Sequence, residues 1–137
     1  MAAARELKAR YVGLMDARQW DDWVELFAPD AVLDASEDMP FHGFKPKFGV
    51  VRGRDRIVAG SRGALDGTRS VHEVTELAIE VVRSNLVRAT WAMTDRIEYA
   101  DGRVLLGAGT YHDEYVCTDG RWQIQSTRLA RTSLAWS

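Results

Sequence analysis

Asp16 and His72 are a carboxylate and an imidazole that could work together as a general base. A carboxylate that fixes one imidazole nitrogen leaves the other free to take a proton near neutral pH. Asp16 closes a helical stretch just ahead of Trp20-Asp21-Asp22-Trp23-Val24-Glu25-Leu26-Phe27, and His72 stands near the start of a strand-like run from Ser70 to Val82. The two are far apart in the chain, so only a fold that lays the end of the first helix against that strand makes them a pair.

Asp95 is the second unusual acid. Alternation places it among Trp91, Met93, Ile97 and Tyr99 on the apolar face of a strand. An unpaired carboxylate there is costly, so it must be paired, hydrogen-bonded or protonated. A protonated one would suit a general acid or an oxyanion donor. The ordinary alternative is an ion pair with a neighbouring arginine, or a bulge that turns Asp95 outward. Near the end of the last strand stand Arg128 and Arg131. Alternation from Trp122 and Ile124 turns Arg128 inward and Arg131 outward unless a bulge intervenes. An inward arginine could bind a carboxylate or an enolate oxygen.

Other residues carry weaker signals. Cys117 is the only cysteine, which excludes an intrachain disulfide and a cysteine-based metal site. His42 and His112 lack the spacing of metal ligands. Gly107-Ala108-Gly109 has no helix behind it to make a phosphate loop, and no Gly-x-Ser-x-Gly nucleophile motif occurs. Cofactor-independent chemistry is therefore expected.

The elements that must position these groups are legible in outline. Residues 2–18 have helical composition and spacing, with Leu7, Tyr11, Leu14 and Met15 in phase. Trp20 to Phe27 reads as a second short helix, stopped by Ala28-Pro29-Asp30. Ala31 to Ala35 reads as a short strand. Residues 36–49 form a loop with Phe41, Phe44 and Phe48, placed to lie over a pocket mouth, and Phe41 and Trp91 are candidate substrate contacts. Arg54 to Leu65 reads as a third helix. Four strands follow: Ser70 to Val82, Val87 to Tyr99, Val104 to Cys117 and Arg121 to Ser133. Ser84-Asn85, Asp101-Gly102 and Asp119-Gly120 join them as tight turns. Helices gathered on one face of a long antiparallel sheet give an α+β domain in which the sheet curls around a pocket.

The 137 residues fit one domain, 1–137, with one core. A formal net charge of −2 argues against nucleic acid as a partner. No apolar run approaches the roughly 18 residues of a spanning helix, and the N-terminal residues lack a signal-peptide core. A cytoplasmic protein with no membrane partner is expected.

Helix-Asp-xxx-Trp-Asp-x-Trp-xx-Leu-Phe, then a histidine opening a strand, then Gly-Thr-Tyr-x-x-Glu-Tyr before Asp-Gly-x-Trp, resembles the SnoaL-like branch of the nuclear transport factor 2-like superfamily. The resemblance covers nearly the whole chain. It implies a cone-shaped curved antiparallel sheet with three helices enclosing a pocket, and assembly as a homodimer or homotrimer through the outer sheet face. Scytalone dehydratase and bile-acid 7α-dehydratase belong to that branch, and their residues map onto Asp16 and His72 as the dyad. By the same resemblance Tyr11 and Asp95 join the active site, and Arg131 is preferred over Arg128.

Cys117 and Thr118 stand where the branch's dehydrochlorinase has an arginine pair, which argues against chloride elimination. The reading is a lyase that removes water from a hydrophobic, steroid-like or polyketide-derived ketone. Isomerisation or cyclisation by the same dyad, or ligand binding without turnover, are the alternatives.

Overall fold

A stripe of Ala4, Leu7, Lys8, Tyr11, Val12 and Met15 at three- and four-residue spacing decides how the first helix lies, because all six are buried. The computed structural model describes residues 1–37 and 49–137. Its elements are α1 (Ala2–Asp16), α2 (Trp20–Val24), β1 (Phe27–Glu37), β2 (Val50–Arg52), α3 (Arg54–Leu65), β3 (Arg69–Arg83), β4 (Leu86–Glu98), β5 (Val104–Thr118) and β6 (Arg121–Trp136). The aromatic loop, with Phe41 and His42, lies largely outside the described residues. No described helix is long and apolar enough to cross a membrane.

One six-stranded sheet runs in the order β2-β1-β6-β5-β4-β3. β3 to β6 form the expected antiparallel run of hairpins. The exception to the antiparallel pattern is β1, which pairs parallel to β6. The chain reaches β1 from the helices and not from a hairpin turn, so nothing forces the antiparallel sense. β1 also begins earlier than expected. The second helix ends at Val24, and β1 runs from Phe27 through Pro29. Pro29 falls where the pairing to β6 slips between Phe27 and Val32, so no ladder hydrogen bond is lost to its missing N–H.

β6 differs most from a plain alternating strand. Tyr115 pairs with Ile124 but Glu114 pairs with Ser126, so Gln125 is an extra residue. Gly109 pairs with Arg131 but Ala108 pairs with Ser133, so Thr132 is a second one. Each bulge flips the strand's inward face. The buried residue Ile124 is therefore followed by Thr127, and the inward phase then runs through Leu129 and Arg131.

The core fills the space between α1, α2 and the sheet. Trp23 and Phe27 are fully buried and pack edge-on with ring centroids 4.7 Å apart, and Tyr11 adjoins both. The Trp23 indole N–H donates to the Tyr11 carbonyl at 2.9 Å, which ties α2 to α1.

Candidate active site

Arg18 sets the position of the dyad. It follows α1 in a left-handed conformation, with φ of 60°, and its guanidinium returns to the Met15 carbonyl at 3.0 Å. The same side chain donates to the Thr68 carbonyl at 2.8 Å and to the Ser70 hydroxyl at 2.8 Å. A cation at a helix C-terminus meets the open carbonyls there. Here it also clamps the end of α1 to the start of β3.

The clamp brings Asp16 against His72. One Asp16 oxygen accepts from His72 Nδ1 at 2.6 Å and from the Ser70 hydroxyl at 2.8 Å. The other accepts from the His72 backbone N–H at 2.6 Å. Burial would raise the Asp16 carboxyl. The bond to His72, its charge, the backbone N–H and the Ser70 hydroxyl together outweigh that and hold it below the usual carboxylate range. With Asp16 an acceptor, Nδ1 carries the hydrogen and Nε2 is the open nitrogen. The His72 side chain is only 6% exposed, and the residue lines a cavity.

Sheet register supplies the rest. His72 pairs with Asp95, and Asp95 pairs with Gly107, so the three share one row across β3, β4 and β5. His72 Nε2 lies 3.6 Å from one Asp95 oxygen. Arg131 approaches from β6 and donates to both Asp95 oxygens, at 3.0 and 2.8 Å. A guanidinium fork on a carboxylate is the strong, oriented form of this pair. Asp95 is thus met by the arginine pairing that its apolar surroundings demand. A Cβ at position 107 would run into the Asp95 carboxylate and the Arg131 guanidinium, so glycine leaves the space in which they meet.

The cavity measures about 860 Å³ counted out to its open mouth. Met15, Leu33, Leu65, Ile97 and Leu129 give it apolar walls. Tyr11 and Tyr111 face it together, their rings edge-on at 5.7 Å. Burial pushes both phenols up, which keeps them protonated as hydrogen-bond donors.

Two expected contacts lie elsewhere. Arg128 faces the opposite side of the sheet and pairs with Glu37 at 2.8 Å, because the Gln125 bulge reverses the phase that pointed it inward. Trp91 is buried but does not line the cavity, and its indole N–H donates to the Tyr115 hydroxyl at 3.0 Å.

That bond belongs to a network missing from the sequence reading. Lys8 and Asp113 have fully buried side chains and pair at 2.9 Å. The Tyr115 hydroxyl donates to the same Asp113 oxygen at 2.6 Å. The Lys8 ammonium lies 3.5 Å from the Tyr111 ring centroid and 4.2 Å from that of Tyr11. Burial lowers the Lys8 ammonium and Asp113 counters it. The pair stands behind both tyrosines and braces that wall. The signals were present: Lys8 is three residues before Tyr11 on the buried stripe, and Asp113 shares the inward phase of Gly107, Tyr111 and Tyr115.

The SnoaL-like domain family model matches residues 1–128. Among solved structures, a candidate scytalone dehydratase from Novosphingobium aromaticivorans superposes with a TM-score of 0.83 at 21% identity, over 98% of this chain and 85% of that one. A type 2 hexachlorocyclohexane dehydrochlorinase gives 0.85 at 18%, over 99% and 87%. A protein of unknown function from Mycobacterium tuberculosis gives 0.77 at 23%, over 96% and 70%. At these identities the likeness is one of fold. The match along nearly the whole chain, on a curved sheet with three described helices, makes this protein a member of the SnoaL-like family, of nuclear transport factor 2-like fold.

Proposed function

We propose that the protein is a cofactor-independent lyase that removes water from a hydrophobic ketone, with His72 as the base. The observation that carries this reading is the row Asp16, His72, Asp95, Arg131, joined by contacts of 2.6, 3.6 and 2.8 Å. Proton uptake at Nε2 completes an alternation of negative and positive charges in a water-poor site. His72 takes a proton from a carbon next to the carbonyl. The Tyr11 hydroxyl, kept protonated by burial, donates to the oxygen that gathers charge. The C–O bond on the neighbouring carbon breaks, and the hydroxide leaves as water with the proton held by His72. Asp16 keeps the ring's tautomer and orientation, and Asp95, anchored by Arg131, flanks the imidazolium.

Neighbours of this fold that carry the names dehydratase and dehydrochlorinase support an elimination. The apolar cavity walls support a hydrophobic substrate. Exposed Val71, Leu77 and Val81 along edge strand β3 support self-association as a dimer or trimer. The test is His72→Ala on a panel of β-hydroxy ketones, with products read by mass. Loss of water by the wild type, slowed roughly 10²- to 10⁴-fold in the variant, is expected. A variant as fast as the wild type, or products of unchanged mass, would end the proposal.

A further inference from the structure

The dyad does not end at Asp16. Ser70 lies two residues before His72 on β3, so the two side chains share one face of the strand. The Ser70 hydroxyl meets the Arg18 guanidinium and one Asp16 oxygen, each at 2.8 Å. A guanidinium can only donate, so the Ser70 oxygen is the acceptor in the first contact. Its one hydrogen is left for Asp16. A hydroxyl whose oxygen is held by a cation is polarised and donates more strongly.

Arg18 is itself firmly placed. A left-handed backbone is uncommon for a residue with a Cβ and persists where the surroundings hold it. One guanidinium nitrogen donates to the Met15 carbonyl as well as to Ser70, and the other to the carbonyl and the hydroxyl of Thr68. The Thr68 hydroxyl in turn donates at 2.7 Å to the carbonyl of Leu65, the last residue of α3. The fork thus joins the ends of two helices to β3, a span that the single nitrogen of a lysine does not cover.

Two of the three donors to Asp16 belong to His72, its Nδ1 and its backbone N–H. The third is Ser70, and it shares one carboxylate oxygen with Nδ1. An acceptor oxygen that serves two donors gives less of its charge to each. Ser70 is also among the groups that offset burial and hold the Asp16 carboxyl down, after the bonds from His72. His72 lines the cavity, whereas Ser70 and Arg18 do not. Their effect on chemistry passes through Asp16.

We propose that Arg18 and Ser70 are positioning residues that set how tightly Asp16 holds the His72 ring: Arg18 aims the Ser70 hydrogen at Asp16, and Ser70 draws off carboxylate charge that would otherwise go to Nδ1. The ring can then accept a proton and still release it to the departing hydroxide. This deepens the lyase reading and rests on it only for what the ring does with that proton.

Proton NMR of the protein without substrate tests the assignment, at alkaline pH where an imidazole is neutral. The Nδ1 hydrogen of His72, shared with a carboxylate and buried, gives a far-downfield resonance that is absent from His72→Ala. In Ser70→Ala, whose small change keeps the fold, that resonance moves further downfield, because Nδ1 has the oxygen to itself. Arg18→Met, read below its lowered melting temperature, moves it the same way, and Ser70→Thr, which keeps the hydroxyl, returns it toward the wild-type position. A residue that merely props the carboxylate gives the opposite sign, so an upfield move or a lost resonance in Ser70→Ala overturns the proposal. So does an unmoved resonance in Ser70→Ala or in Arg18→Met, or a wild type without the resonance. The readout needs no turnover, so a failure of the lyase reading and a failure of this assignment are seen separately.

Discussion

Asp95 meets Arg131 across an intervening strand, over a glycine of β5 whose side chain, if it had one, would block the contact. Asp95 belongs to β4 and Arg131 to β6, and Gly107 of β5 lies between them without a Cβ. The ion pair beside His72 is therefore a property of three strands. Gly109 contributes in the same way: a Cβ there would lie 2.5 Å from the Ala130 carbonyl and 2.9 Å from the Arg131 Cα. Gly107-Ala108-Gly109 thus lets β6 approach and the ion pair close. The motif that fails as a phosphate loop has a steric purpose.

Gly107→Ala should push the guanidinium off Asp95. Overpacking of a filled interior costs about 1–3 kcal/mol, and urea denaturation should show a loss in that range. Turnover should fall as well, since the carboxylate beside the imidazole loses its anchor. A variant with wild-type stability and rate would mean that the pair has another way to form.

Arg131→Met should be more damaging than its volume implies, because it leaves Asp95 buried without its cation. Breaking a buried pair from one side typically costs about 3–5 kcal/mol. Adding Asp95→Leu should recover most of that stability while leaving activity lost. Denaturation midpoints and rates for the two single variants and the double variant complete the cycle. Recovery of activity in the double variant would remove both residues from the mechanism.

The Asp16 carboxyl lies below its usual range in the folded protein. Its stabilising contribution is therefore fully present above the unfolded value of about 3.9 and is lost as pH falls through the lower folded value. The gap in melting temperature between wild type and Asp16→Asn should stay constant from neutral pH down to about pH 5 and narrow below about pH 4. A gap that widens on acidification would contradict the hydrogen-bonding that holds this carboxylate ionised.

Leu77 and Val81 are 57% and 61% exposed on an edge strand. Light scattering should give a mass that is a multiple of 15.4 kDa for the wild type. Leu77→Glu with Val81→Glu should shift it to a single chain with the fold retained. A wild type that is already monomeric at micromolar concentration would remove self-association from the proposal.

The four long strands and three helices were legible because each rests on local pattern: helical spacing, alternation and Asp-Gly turns. The approach of Asp16 to His72 was legible only through the family resemblance, since no local pattern joins residues so far apart in the chain. The choice between Arg128 and Arg131 was not, because phase counted from Ile124 holds only while the strand is regular. An extra residue at Gln125 has no composition signal of its own, since a bulge is set by pairing with Tyr115 and Glu114. The early start of β1, ahead of the strand expected from Ala31, hid for a related reason. Ala28-Pro29-Asp30 reads as a stop, yet the chain passes through Pro29 as irregular strand because the neighbouring register slips there. The buried Lys8–Asp113 pair escaped because a lysine near a chain start reads as solvated, and only the tertiary fold brings its acid to it.

The paired irregularities in β6 have an engineering meaning. Between Gln125 and Thr132 the ribbon is turned over relative to what precedes and follows, so one short window chooses which of two side-chain sets faces the cavity. A strand that took Gln125 into regular alternation would offer the interior Ser126 and Arg128 in place of Thr127 and Arg131, with no side chain redesigned. Straightening one bulge in this strand is thus a larger change of chemistry than most substitutions, and a route by which one scaffold acquires new selectivity.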